Sequence, residues 1–260
     1  MDKKFQGLRV MNLVAAFLHF TQGIIMVLVS SDMKIPVMTN FLRFNQQSQS
    51  LVPDPQNWFE LPLGILVSIF LFMSAIAHLL ISLPGIYEWY IKNLARGINP
   101  ARWIEYAFSS SIMIIIISML VGIYDIAALI PIFFVNASMI LFGWMMELHN
   151  QNTGKDPSIS LSQTKWTSFV FGCIAGIAPW LAIGLYLWSP SVDTNPPAFV
   201  YWIFFSIFVF FNVFAINQLL QYKKVGKWSD YLYGEKAYIV LSLVAKSLLA
   251  WQVFAGTLRP

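Results

Sequence analysis

The feature that most constrains this chain is a series of seven long apolar segments. A helix needs about 20 apolar residues to cross the hydrocarbon core of a bilayer, and hydrocarbon offers no partners to an unpaired backbone. The sequence therefore predicts an all-α membrane protein built as a seven-helix, rhodopsin-like bundle. The predicted membrane helices lie near residues 8–30, 60–83, 100–123, 126–147, 165–188, 197–220 and 236–258.

The composition agrees with a membrane protein. Hydrophobic residues make up 58% of the 260 residues and charged residues 11%, which is too little charge for the surface of a soluble domain of this size. The single cysteine, Cys173, excludes an internal disulfide framework, and three histidines are too few for a rich metal site. We expect residues 1–260 to form one domain in the lipid bilayer, with no nucleic-acid partner and no bound metal.

The distribution of lysine and arginine predicts the orientation of the bundle, because basic residues concentrate on the cytoplasmic side. Seven crossings place twelve of these residues on the side of the N-terminus and three on the other side. The N-terminus is therefore expected to be cytoplasmic and the C-terminus extracellular. The larger group is Lys3, Lys4, Arg9, Lys92, Arg96, Arg102, Lys155, Lys165, Lys223, Lys224, Lys227 and Lys236, and the smaller group is Lys34, Arg43 and Arg259.

The connection between the first two predicted helices, residues 31–59, is the one long loop on the outer side. Branched and aromatic residues within 34–44 favour a short β-hairpin. A loop without regular structure is the alternative at this stage.

Lys246 is the residue that points most directly to a function. It lies midway along the last predicted helix, and its neighbours on both sides are apolar or carry small hydroxyls. A lysine in such a setting costs about 2.5 to 3.5 kcal/mol on insertion scales and usually marks a functional site. Glu105 is the one acid that we find in a comparable setting. The sequence therefore predicts that Glu105 pairs with Lys246.

Polar residues on three predicted helices are spaced four apart, so that each pair lies on one helix face. Polar faces in hydrocarbon need partners or water, and we expect these three faces to converge on an interior cavity. For each serine alone, a hydrogen bond to a carbonyl of its own helix is the alternative. The pairs are Ser74 with His78, Glu105 with Ser109, and Ser242 with Lys246.

A buried lysine amine condenses readily with an aldehyde. The protonated Schiff base that results keeps a positive charge and needs an anion nearby, which Glu105 supplies. At these positions the chain resembles the retinal-binding rhodopsins. Arg102 lies three residues before Glu105 and Ser109 four after it. Met139 and Gly143 are spaced as in the chromophore pocket of microbial rhodopsins.

Two departures from the ion-pumping rhodopsins narrow the resemblance. Pumps generally have a second carboxylate one turn before the lysine, where this chain has Ser242, and proton pumps have a donor carboxylate where it has Ile116. Together with the inverted orientation, these features resemble the heliorhodopsins. That family's pattern includes a single glutamate counterion, histidines on the first two helices, a long outer loop and a dimeric assembly.

The resemblance implies a photoreceptor with all-trans retinal as its cofactor. Lys246 would carry the retinal as a protonated Schiff base, Glu105 would be the counterion, and Ser74 and Ser109 would form hydrogen bonds near the pair. Ser242 would border the chromophore.

The same resemblance implies further site residues. His19 and His78 would line a polar, water-holding cavity on the inner side, with ordinary hydrogen-bonded core residues as the alternative. The walls around the polyene and ring are expected to include Met139, Gly143, Phe211, Gln218 and Trp251.

The missing relay carboxylates favour signalling over ion pumping, and the resemblance implies a slow photocycle. We expect a homodimer, a cytoplasmic signalling partner and no enzyme activity. For the glycines at 172 and 176, contact between protomers and packing inside the bundle are both open.

Two other functions also stay open. One is a light-driven or light-gated proton or ion transporter, and the other is a secondary transporter without retinal that uses the pair of Lys246 and Glu105.

Overall fold

A computed structural model describes residues 3–151, 164–188 and 196–259 of the chain. Seven of its helices are long and apolar enough to cross a membrane, which confirms the predicted seven-helix fold. Lys155, one of the basic residues counted above, lies outside the described residues. The elements in chain order are α1 (Lys3–Val29), β1 (Lys34–Asn45), β2 (Ser50–Pro62), α2 (Leu63–Leu80), α3 (Ile86–Leu94), α4 (Pro100–Leu120), α5 (Ile126–His149), α6 (Thr167–Leu187), α7 (Ala198–Tyr222) and α8 (Tyr231–Val253).

Polar caps determine where three of the membrane helices begin. Asn99 caps α4, with its side chain accepting from Arg102 N, and Pro100 follows at the first helical position. Asp125 caps α5 and Asp230 caps α8 in the same way. Such caps satisfy N–H groups that the helix itself leaves unpaired. A fixed first turn also determines which side chains of the helix face the interior.

The long loop between α1 and α2 forms a β-hairpin, so the alternative of a loop without regular structure is wrong. Strands β1 and β2 pair antiparallel from Lys34 opposite Pro62 to Asn45 opposite Ser50. The hairpin is longer than predicted, and α2 begins at Leu63 rather than near 60 because the preceding residues belong to β2. Met38 N donates to Tyr124 O at 2.9 Å, which ties the hairpin to the start of α5.

Helix α3 was not predicted. It is a nine-residue helix between α2 and α4, too short to stand out as a membrane segment. Tyr87 and Tyr90 are buried, and the Tyr87 hydroxyl donates to Phe5 O at 2.8 Å. Helix α3 therefore lies against the start of α1, on the opposite side of the bundle from the hairpin. We call that side the basic face, because it carries Lys92, Arg96, Lys165, Lys223, Lys224 and Lys227.

The two halves of the bundle differ in polarity. The half next to the hairpin is filled mainly by a continuous cluster of buried apolar side chains, among them Val67, Ile117, Ile203 and Val253. Its buried polar side chains are neutral, namely Ser68, Ser111, Ser118 and Asn136. Ile116, at the position where proton pumps have a carboxylate, is fully buried in this cluster. The buried charged side chains lie midway along the bundle and towards the basic face.

Candidate functional site

Lys246 lies at the centre of the site, and its residue is 3% exposed. Its Nζ donates to Glu105 Oε1 at 2.7 Å, to Ser74 Oγ at 2.6 Å and to Ser242 Oγ at 3.1 Å. An ammonium group has three hydrogens to donate, so each has a partner. The structure thus brings together residues from all three predicted polar faces.

Glu105 is the anion beside this amine. The side chains of Lys246 and Glu105 are 4% and 8% exposed, so water screens their attraction only weakly. The Ser74 hydroxyl lies 2.7 Å from Glu105 Oε1 and 3.1 Å from Phe70 O. A hydroxyl donates one hydrogen, and the nearer, charged acceptor is favoured. Ser74 therefore bridges the pair, accepting from the amine and donating to the carboxylate.

Ser109 lies one turn beyond Glu105 on α4. It is fully buried, and its Oγ has no hydrogen-bond partner among the described residues. Buried polar atoms in proteins nearly always have a partner, either protein or water or ligand. The Ser109 hydroxyl lies near the Glu105 carboxylate and also lines the cavity at Lys246, so it can donate to the carboxylate or to a group bound there.

A cavity of about 50 Å³ begins at Lys246. It shares five of its lining residues with a larger space of about 160 Å³ that extends to Trp180. Small-molecule sites have mainly apolar walls. The lining between α4, α5, α6 and α7 therefore suits an elongated apolar group joined to Nζ. The shared residues are Tyr106, Met139, Ile140, Phe211 and Phe214.

Glycines allow the helices around the cavity at Lys246 to pack closely against one another. A Cβ atom at Gly143 would lie 2.5 Å from the Trp103 ring, and one at Gly176 would lie 2.5 Å from Met139 Sδ. Gly172 also faces α5, where the carbonyl of Met139 is its neighbour. Gly172 and Gly176 therefore pack inside the bundle, which is one of the two alternatives that the sequence left open.

Four of the five predicted wall residues line this space, namely Met139, Gly143, Phe211 and Gln218. Trp251 does not line either cavity. It is 39% exposed, and its Nε1 donates to Gln22 Oε1 of α1 at 3.1 Å. Five residues correspond to a rotation of about 140° on a helix of 3.6 residues per turn, so Trp251 and Lys246 face different directions.

The two predicted histidines lie together beside Glu105. Their rings stack with centroids 5.9 Å apart. The Nδ1 atom of His78 is 2.8 Å from Asn12 Oδ1, whereas both ring nitrogens of His19 lack a partner among the described residues. Towards the basic face, His78, Asn12 and Glu105 line a cavity of about 30 Å³, whereas His19 is not among its lining residues. A polar space of this size has room for an ordered water molecule.

A buried ionic cluster closes this cavity on the side of the basic face. Arg102 Nη2 donates to Glu147 Oε1 at 2.5 Å, and Nη1 donates to Glu235 Oε1. Glu147 Oε2 also accepts from Trp103 Nε1 at 2.7 Å, and Asn99 Nδ2 donates to Glu235 Oε2 at 2.7 Å. The cluster joins α4, α5 and α8.

The ionic cluster corrects the prediction that Glu105 is the one acid in such a setting, because both of its carboxylates are 2% exposed. Glu147 lies at the end of a predicted membrane segment and Glu235 just before another. Charged residues at helix ends normally reach the headgroups, so these positions do not predict burial from the sequence. A useful signal was that Arg102, Glu147 and Glu235 all lie towards the same membrane face.

The model of the heliorhodopsin family matches residues 8–258, nearly the whole chain. No curated protein sequence matches the chain. The heliorhodopsins are retinal-binding, light-sensing rhodopsins, photoreceptors rather than enzymes. The apolar cavity that begins at Lys246, together with the unpaired Ser109 hydroxyl, fits an elongated chromophore of that kind. With seven membrane-spanning helices and a family match over almost its entire length, the chain belongs to the heliorhodopsin family.

Proposed function

We propose that the protein senses light through all-trans retinal held on Lys246 as a protonated Schiff base, with Glu105 as counterion. The observation that carries this proposal is the buried amine beside one carboxylate, at the end of an apolar cavity. Retinal, when bound, supplies the absorption of visible light and the isomerisation that follows. The protein's own side chains hold the charge, orient the linkage and exclude water.

Each residue near the nitrogen has a separate task in this proposal. The Glu105 carboxylate balances the positive charge on Nζ in a region where an unbalanced charge is costly. Ser74 and Ser242 orient the nitrogen through their hydroxyls, and Ser109 offers a further hydrogen bond to the counterion when the charge moves. His19 and His78 lie in position to accept a displaced proton, directly or through water.

The uneven polarity of the bundle supports signalling rather than pumping. A proton that leaves Nζ meets the polar cavity of His78 towards the basic face. On the hairpin side it meets the buried apolar cluster that contains Met113, Ile116 and Ile117. A proton path uses buried ionisable groups on both sides of the amine, and on the hairpin side the buried polar groups of the described chain are neutral, such as Asn136 and Ser111. The slow photocycle implied by the resemblance would therefore end in a conformational signal to a cytoplasmic partner.

The basic face is the cytoplasmic side in this proposal, and the hairpin is outside the cell. A cysteine at Ser48 in the hairpin turn and one at Ser229 on the basic face provide a test, each in a Cys173→Ala background. An impermeant thiol reagent added to intact cells should label the first and spare the second. Labelling in the reverse order would refute the orientation. The homodimer expected from the resemblance stays a prediction.

The visible spectrum tests the chromophore. Purified wild-type protein incubated with all-trans retinal should develop a visible absorption band, because the imine forms on Lys246 and stays protonated beside Glu105. Lys246→Ala should abolish the band. Lys236→Ala removes another lysine of the same helix and should keep it. A colourless wild type would end the proposal.

A further inference from the structure

A second cavity opens at the basic face, away from Lys246. It encloses about 290 Å³, at the lower end of the range of about 300–1,000 Å³ for small-molecule sites. Its lining comes from the connection between α3 and α4, the ends of α5 and α7, and the start of α8. The lining residues are Leu94, Ala95, Arg96, Gly97, Asn150, Gln151, Thr164, Gln221, Tyr222, Lys224, Trp228, Ser229 and Tyr231.

The charge of this lining is positive. Arg96 and Lys224 contribute two cations, and no carboxylate is among the lining residues of the described chain. Arg96 Nη2 donates to the neutral Gln151 Oε1 at 3.3 Å. The neighbouring acid Asp230 is already engaged, since it caps α8 and lies 3.5 Å from Lys4 Nζ. An anion that enters the cavity therefore gains charge-assisted hydrogen bonds.

Three aromatic rings form flat walls beside these cations. Trp228 is held in place, because its Nε1 donates to Asn217 Oδ1 at 2.7 Å and its ring packs edge-on against Tyr233. Tyr222 packs edge-on against Trp166, and Tyr231 donates its hydroxyl to Glu147 Oε1 at 3.1 Å. Rings that are fixed in this way offer large contact area to a planar group at small cost in conformational entropy.

We propose that this cavity binds a small organic anion that carries a phosphate and a flat ring, of the size of a mononucleotide. The phosphate meets Arg96 and Lys224, whose side chains donate hydrogen bonds that suit phosphate oxygens. The ring lies against Trp228 and Tyr222. Neither the cations nor the aromatic walls belong to the chromophore cavity.

Tyr231 connects this cavity to the interior of the bundle. Its ring lines the cavity while its hydroxyl is bonded to Glu147, which in turn is bonded to Arg102. Arg102 lines the polar cavity that also contains Glu105. A ligand that moves Tyr231 would therefore alter the surroundings of the counterion. This coupling rests on the proposed light-sensing function, whereas the binding itself does not.

Equilibrium dialysis of AMP against the purified full-length protein without retinal tests the binding. Arg96→Gln and Lys224→Gln should each weaken AMP binding about tenfold, as expected for loss of a charge-assisted contact. Lys223→Gln is the matched control, because it removes the adjacent cation from outside the lining and should leave the affinity unchanged. Trp228→Leu should weaken AMP more than inorganic phosphate.

Two results would refute the proposed anion site at the basic face. One is no binding of AMP by the wild type at millimolar concentration, and the other is an equal affinity in the wild type and both charge variants. Circular dichroism checks that each variant is folded. If neither charge variant folds, adenosine replaces them as the probe, since a neutral ring should bind far more weakly than AMP to the wild type. Equal binding of adenosine and AMP would refute the site.

The coupling has its own readout in the retinal-loaded protein. Saturating AMP should shift the visible band or change the rate of its light-induced recovery, and Tyr231→Phe should remove this effect while AMP still binds. AMP binding without any spectral effect would refute the coupling. A protein that binds AMP and forms no pigment would refute the light-sensing proposal and leave the anion site in place.

Discussion

The Lys246 ammonium group donates three hydrogen bonds, and two of the three acceptors are neutral hydroxyls. Glu105 is therefore the one negative charge that contacts the amine in the described structure. Both side chains are almost fully buried, and removal of one partner from a buried ion pair leaves a charge with no compensation.

Glu105→Gln should accordingly destabilise the retinal-free protein by about 3–5 kcal/mol, the usual cost of breaking a buried pair. Denaturant-induced unfolding in detergent measures this change. The double variant Glu105→Gln with Lys246→Gln should recover much of the loss, because neither charge then remains. Glu88→Gln, which removes an exposed acid of α3, is the control and should have little effect. An equal stability of wild type and Glu105→Gln would contradict the proposed pairing.

At the scale of helices and strands, the sequence predicted the seven membrane helices best, because the thickness of the bilayer sets the length of their apolar segments. The seven membrane helices follow from segments of about 20 residues, and the pairing of the α4 and α8 faces follows from four-residue spacing. Helix α3 was not predictable in this way, because its burial depends on contact with α1. The roles of Glu147 and Glu235 were missed because only the folded bundle places both on Arg102.

Helix α5 forms one wall of the cavity at Lys246, and its Gly143 leaves no room for a side chain. A Cβ at Gly143 would lie 2.5 Å from the Trp103 ring, which cannot move freely because its Nε1 is bonded to Glu147. Gly143→Ala should therefore destabilise the protein by about 1–3 kcal/mol, the usual cost of overpacking, and lower the fraction that forms pigment.

Thermal unfolding and the ratio of visible to ultraviolet absorbance measure the effect of Gly143→Ala. Gly7→Ala is the control, because nothing lies within 4 Å of a Cβ at that position of α1. If the two variants behaved alike, close packing of Trp103 on α5 would not limit the cavity.

At the scale of the whole molecule, the buried charges of the described residues lie at the amine and on one side of it. The polar cavity and the ionic cluster of Arg102 extend from Glu105 to the basic face, while apolar and neutral polar side chains fill the half next to the hairpin. In the proposed function, a proton moves locally in such a bundle without crossing the membrane.

Illumination of cells that contain the pigment should therefore produce no sustained pH change in unbuffered medium, since the described residues place no buried charge between the amine and the hairpin. As a positive control, a light-driven pump expressed in the same cells shows that a pH electrode in the medium would detect such a change. A sustained change that an uncoupler abolishes would contradict signalling and favour the transporter, for which the polar half of the bundle would then be the entry path.

The most direct test of the account is to trap the linkage itself. Borohydride reduction of the retinal-loaded protein, followed by digestion and mass spectrometry, locates the nitrogen that carries the chromophore. We expect one adduct, on the peptide that contains Lys246. An adduct on any other amine, or no adduct in a coloured sample, would contradict it.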